Sequence, residues 1–296
     1  MRRFSNMVRD RMKKRPIVAF LYDFDKTLCT TDMQDYAFIP SLGYTPKQFW
    51  TIANNFGWGN HMDGLLAYMY TMIDECRKKG IRLERDYLVK CGNAIQLFPG
   101  VKDWFGRINA FGAELGVDVE HYVLSSGLKE IIEGSGVAHE FKEIYACEFL
   151  YGADGLAMWP KLDVNFTNKT QFVYRINKGI LDVANDKDLN ASMPDDSKRI
   201  PFTNMIYVGD GLSDVPCMKM MRAYGGQAVA VYQDSNRAGV EGLLADGRVD
   251  FIFPADYREG HPLDTTMKNI LRKMAISDAL SEENAEQLKA IKEKQP

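Results

Sequence analysis

The sequence is short of the features that mark several protein classes. Its five cysteines, at 29, 76, 91, 147 and 217, are odd in number and form no Cys-x-x-Cys pair. That speaks against a disulfide framework and a thiolate zinc site, and it suits a reducing cytoplasm. Cys29 is expected to be a small packed residue rather than a redox switch. No apolar run approaches the ~20 residues that a membrane span requires. No repeat of about 20 to 50 residues and no low-complexity tract is present. A net charge of −3 leaves no general basic field for nucleic acid. The first fifteen residues hold seven Arg or Lys against one Asp. No apolar signal core precedes the first strand, so a solvated or helical lead-in is expected rather than a targeting peptide.

What is present is a large apolar fraction, 46% of 296 residues. That is enough for one large domain, or a core with an inserted module. Apolar runs followed by helical patterns recur. "PIVAFLYDF" (16–24), "DVEHYVLSS" (118–126) and "NMIYVGDG" (204–211) read as strands, with "QAVAVY" (227–232) and "VDFIF" (249–253) as shorter ones. "GLKEIIEGSG" and "LSDVPCMKMMRAYGG" read as helices closing at glycine. Near-continuous apolar strands imply a parallel sheet covered on both faces. Residues 32–96 carry helical patterns such as "GLLAYMYTMIDECRKKG" and "ERDYLVKCGNAIQLF", with little strand alternation. The expected organisation is an α/β core over 1–31 and 97–296 with a helical cap over 32–96. "EIYACEFLYGADGLAMWPKL" (143–162) reads as a hairpin around its Gly-Ala-Asp-Gly turn, and "SEENAEQLKAIKEKQP" as a charged terminal helix.

In open parallel sheets ligands bind beyond the carboxyl ends of the strands. Three strand ends and one helix start carry polar residues here. They are Asp23-Phe24-Asp25-Lys26-Thr27, Ser125-Ser126-Gly127 at a helix start, Lys169, and Gly209-Asp210-Gly211-Leu212-Ser213-Asp214. Each alone has an ordinary reading as a turn, a cap or a solvated lysine. Together, each beside an apolar run, they fit phosphoryl transfer through an aspartyl-phosphate. A carboxylate attacking a phosphate dianion meets charge repulsion, which Mg²⁺ offsets. Asp23 and Asp210 are the expected carboxylate ligands. Asp25 is the expected general acid and then base. Ser125, Ser126 and Gly127, with N–H groups at the following helix start, would hold phosphate oxygens. Lys169 would neutralise the nucleophile and the transferring group.

These residues resemble the haloacid dehalogenase-like hydrolase superfamily. "DFDKTL" is similar to its Asp-x-Asp-x-Thr opening, "VLSSG" to its second motif and "GDGLSD" to its fourth. The resemblance covers about 16 to 255 and implies a Rossmann-like, doubly wound parallel sheet with an inserted helical cap. It implies Asp23 as nucleophile, Asp25 as acid/base and, through its carbonyl, a metal ligand, and Asp210 with Asp214 as metal ligand and support. The third motif is a lone lysine, for which Lys161 and Lys178 compete with Lys169. Lys178 lies ~13 Å further along the same helical pattern, so the two cannot both face the site. The cap position resembles the phosphoserine phosphatase branch, where an acid at the place of Asp32 grips the substrate amine. No cap arginine stands ready for a substrate carboxylate, so phosphoserine is not favoured. Trp50, Phe56, Trp58, His61, Tyr68 and Tyr70 read mostly as packing residues, and His61 as a loop residue without chemistry. Asp25 favours a phosphatase over a dehalogenase, while a phosphomutase or a non-catalytic binding protein on this scaffold stays open. The expected partner is a small phosphorylated metabolite, with Mg²⁺ as cofactor and neither nucleic acid nor membrane involved.

Overall fold

In the computed structural model, which describes residues 15–293, the first apolar run is β1 (Ile17–Tyr22). The basic stretch at 1–14 lies outside the described residues. Helices α1 (Met33–Tyr36), α2 (Phe38–Ser41), α3 (Pro46–Asn60), α4 (Gly64–Lys78) and α5 (Arg85–Gly92) follow before the sheet resumes. Thr45 starts α3 with a capping box: its hydroxyl accepts from the Gln48 N–H, and the Gln48 side chain accepts from the Thr45 N–H. Asp63 caps α4 by accepting from the N–H groups of Leu65 and Leu66. The chain then forms α6 (Val101–Glu114), β2 (Asp118–Leu128), α7 (Lys129–Glu133) and the hairpin of β3 (Glu143–Tyr151) and β4 (Ala157–Leu162). Next come α8 (Lys169–Lys178), α9 (Asp186–Asn190), β5 (Met205–Gly209), α10 (Val215–Ala223) and β6 (Gln227–Tyr232). α11 (Arg237–Ala245), β7 (Phe251–Pro254) and α12 (Pro262–Lys292) complete the described chain.

The sheet has seven strands in the order β4-β3-β2-β1-β5-β6-β7. All neighbours are parallel except the β3–β4 pair. The chain builds outward from β1 on one side and then from β5 on the other. The topological switch point therefore lies between β1 and β5, where an open α/β sheet leaves a crevice.

The apolar runs are continuous because both faces of the sheet are covered. Val18, Phe20 and Tyr22 of β1 pack with Trp104, Phe105 and Ile108 of α6 and Leu263, Met267 and Leu271 of α12. Ile17, Ala19 and Leu21 face the other way, against Phe172, Val173 and Ile176 of α8 and Cys217, Met218 and Met221 of α10. Each such large side chain contributes about 1.5–3 kcal/mol when fully buried. No helix among the described residues is long and apolar enough to cross a membrane.

The helices inserted after β1 leave and rejoin the core side by side. Cys29 pairs with Leu97 as an antiparallel bridge. The Thr30 N–H donates to the Gln96 carbonyl, and the Phe98 N–H to the Leu28 carbonyl, both at 3.0 Å. The insertion is thus held by a two-strand ribbon rather than by two separate linkers.

Candidate active site

Strand register alone brings the acids together. Tyr22 pairs with Val208 of β5 and Val123 of β2, and the Asp23 N–H continues the ladder to the Val208 carbonyl at 2.9 Å. Asp23, the Gly209-Asp210 step and Ser125 therefore leave the sheet at neighbouring strand ends. Carboxylate oxygens of Asp23, Asp210 and Asp214 lie within 4.8 Å of one another. Gly209 makes this possible: a Cβ there would stand 2.3 Å from Asp214 Oδ2, so only glycine lets Asp214 fold beneath the strand end.

Lys169 is fully buried, and its Nζ donates to Asp23 Oδ1 at 3.0 Å and Asp214 Oδ1 at 2.8 Å. Burial alone would strip its proton, but Asp214 and Asp23 outweigh that and hold the ammonium charged. The competing lysines are engaged elsewhere. Lys161 pairs with Glu148, and Lys178 donates to the carbonyls of Leu189 and Ala191.

Asp214 has no free oxygen. Oδ1 accepts from Lys169 and the Tyr207 hydroxyl (2.7 Å), and Oδ2 accepts from the Asp210 N–H (3.2 Å). Its place is beneath the site, as a holder of Lys169 and of the β5 turn. The Asp210 carboxylate, by contrast, takes no hydrogen bond from any described residue. Burial, with Asp23 and Asp214 nearby, pushes it up to about 8. Burial raises Asp23 to about 6, with Lys169 opposing and Asp214 adding to the rise.

Asp25 Oδ1 accepts from the Met33 N–H at 2.9 Å and lies 3.6 Å from the Cys29 thiol. Burial, then the charges of Asp32 and Asp23, hold its carboxyl well above the usual range. Lys26, in the left-handed region at φ 57, sits in the same pocket and donates to both oxygens of Asp32, at 2.8 and 2.9 Å. Asp32 is thus already matched by a lysine of the chain.

The Ser125-Ser126-Gly127 segment departs from the sequence expectation. β2 stays extended through Leu128, and the helix after it begins only at Lys129 and runs five residues. The Gly127 N–H is spent on Ser125 Oγ at 3.1 Å, and Ser126 Oγ donates to the Val164 carbonyl at 2.8 Å. Gly127 is a packing residue: a Cβ there would meet Met33 Cε at 2.1 Å and Asp25 Oδ2 at 3.0 Å. Ser125 and Ser126 do line the pocket, whereas Gly127 lies behind it.

The pocket has a volume of about 300 Å³. Asp23, Asp25, Lys169 and Asp210 reach it from the core, and Lys26 and Asp32 from the loop after β1. Leu65, Phe166 and Leu212 line it as well, three residues that sequence reasoning missed. Of the aromatic cap residues, none lines it. Trp50 donates to Asp35, Phe56 stacks on Tyr70 at 4.4 Å, and Tyr68 donates to the Ser126 carbonyl at 3.0 Å. Trp58 and His61 border a separate hollow between α3 and α4.

The donor set fits Mg²⁺. Asp23, Asp210 and Asp214 bring three negative charges, and Lys169 returns one positive. The remaining pair of charges is what a divalent cation supplies, and the ligands are hard oxygens, one of them without a protein partner.

The sequence pattern of the haloacid dehalogenase-like hydrolases matches residues 20–219, and the chain belongs to that family. An uncharacterized protein of Borreliella burgdorferi is 25% identical over 301 residues, spanning 90% of this chain and 99% of its own. Among solved structures, a phosphoserine phosphatase in its apo form shares the fold with a TM-score of 0.53. It has 15% identity, over 83% of this chain and 97% of that one. A family hydrolase of Salmonella enterica serovar Typhi has a TM-score of 0.51 and 16% identity, over 82% of this chain and 78% of its own. These likenesses are of fold.

Proposed function

We propose that the protein is a Mg²⁺-dependent phosphatase that hydrolyses a small phosphomonoester through an aspartyl-phosphate. The observation that carries this is the placement of Asp23. Its carboxylate lies at the pocket floor, tied to a buried Lys169 and clustered with Asp210. Asp23 attacks phosphorus, forming the new O–P bond as the ester O–P bond breaks. Asp25, whose carboxyl is held well above the usual range by burial and the charges of Asp32 and Asp23, gives its proton to the leaving oxygen. A water then takes the phosphorus from Asp23 and yields its proton to Asp25, which restores both groups. Lys169 fixes the nucleophile and offsets charge on the transferring group. Ser125, in the last part of β2 beside Asp23, receives phosphate oxygens. Asp23, Asp210 and the Asp25 carbonyl would hold Mg²⁺, which would supply the positive charge that an anion needs to approach an anion.

The substrate in this reading is a small phosphorylated metabolite, and the setting is cytoplasmic. Five buried, unbridged cysteines support a reducing compartment. The test is hydrolysis of p-nitrophenyl phosphate with Mg²⁺ by the full chain and by Asp23→Asn. A loss of about 10⁴-fold or more is expected for the variant. Equal rates would remove the nucleophile and with it the proposed reaction.

A further inference from the structure

The pocket's charges are nearly all spoken for before any leaving group arrives. It is lined by two cations. Lys169 is buried between Asp23 and Asp214, and Lys26 is bonded to both oxygens of Asp32. No arginine among the described residues lines it. Of the arginines in the inserted segment, Arg82 pairs with Glu84 and Arg85 with Glu133. A substrate carboxylate would therefore find no free cation, and a substrate ammonium would find Asp32 already neutralised.

What the pocket offers beyond phosphate chemistry is apolar. Leu65, in the first turn of α4, Phe166, before α8, and Leu212, after β5, converge on it from three separate parts of the chain. Phe166 and Leu212 are 53% and 75% exposed, unusually so for large apolar side chains beside a polar site. A leaving group with an apolar face would take that surface out of water.

Resting on the phosphatase reading above, the geometry points to an uncharged, partly apolar alcohol as the leaving group. The Lys26–Asp32 pair excludes amino-bearing and carboxylate-bearing phosphoesters. Lys26 acts here as a specificity residue. By occupying Asp32 it removes the anion that would hold an amine.

The test compares kcat/KM of the full chain with Mg²⁺ for n-butyl phosphate, phosphoethanolamine and phosphoserine. All three release a primary alkoxide, so the comparison reads the pocket more than the chemistry. n-Butyl phosphate is expected to exceed phosphoserine by about 100-fold, the scale at which unmatched polar groups are rejected. Lys26→Met frees Asp32 and should raise the ratio of phosphoethanolamine to n-butyl phosphate at least about 10-fold. Lys26→Asn, which tolerates the left-handed backbone, should move the ratio the same way. Phe166→Ala should raise KM for n-butyl phosphate more than it lowers kcat. A wild-type preference for phosphoserine, or a ratio unmoved by both Lys26 variants, would overturn this inference while leaving the phosphatase standing. No turnover of any ester beyond that of Asp23→Asn would overturn both.

Discussion

The two lysines of the pocket occupy opposite electrostatic regimes. Lys169, at the floor, is 1% exposed at its side chain and bridges two buried acids. Lys26, at the mouth, is 40% exposed and pairs with Asp32, itself 33% exposed. The first is shut off from bulk solvent, so its charge and those of its partners depend chiefly on one another. The second sits where water screens the pair and little stability rests on it. In the proposed reaction the floor carries the chemistry, whereas a change at the mouth costs the fold little and bears on what the site accepts.

The widest break in this contrast comes from Lys169→Met. Removing the ammonium strands Asp23 and Asp214 as buried charges, and a loss of about 3–5 kcal/mol is expected in urea unfolding, together with loss of turnover. Stability within 1 kcal/mol of wild type would mean that the floor is as open to water as the mouth.

Proton and metal should compete for the floor. In the folded protein Asp23 is raised to about 6 and Asp210 to about 8 from an ordinary 3.8. Acids raised on folding favour the folded state while protonated. Their contribution is complete below about pH 4 and is lost as pH climbs through 6 and then 8. With chelator present, thermal melting should therefore fall between pH 5 and 8.5. Mg²⁺ at a hundredfold excess over its Kd at pH 8 should restore about 2.7 kcal/mol there, and the same concentration should restore less at pH 5. A metal increment independent of pH would show that these carboxylates do not bind it.

The smallest effect belongs to the mouth. Lys26→Met should change stability by about 0–1 kcal/mol in the same unfolding assay. A loss as large as that of Lys169→Met would erase the distinction between the two regions.

The floor is legible in the sequence because strand ends obey register. The apolar runs of β1 and β5 end at Asp23 and Asp210, and the parallel register of β2 sets Ser125 beside them, so the three converge without any side-chain detail. The mouth is not legible in the same way. Lys26 and Asp32 meet through a turn with a left-handed residue, which no period announces. Leu65, Phe166 and Leu212 come from one helix start and two loops, and no spacing in the sequence links them. The Ser-Ser-Gly segment misleads for a related reason. Glycine there reads as a helix start, but it leaves room for the end of the Met33 side chain, and the chain stays extended through Leu128. Tyr207 lies within a buried strand, and nothing in its run marks it as the donor that helps saturate Asp214.

The paired linkers that join the inserted helices to the core carry a mechanical consequence. Cys29 bridges both Leu97 on the returning segment and Asp25 on the outgoing one, so the attachment of the inserted helices and the backbone that carries the Asp25 carboxyl are one short piece of chain. A disturbance at that joint is passed straight to the residue beside the pocket floor.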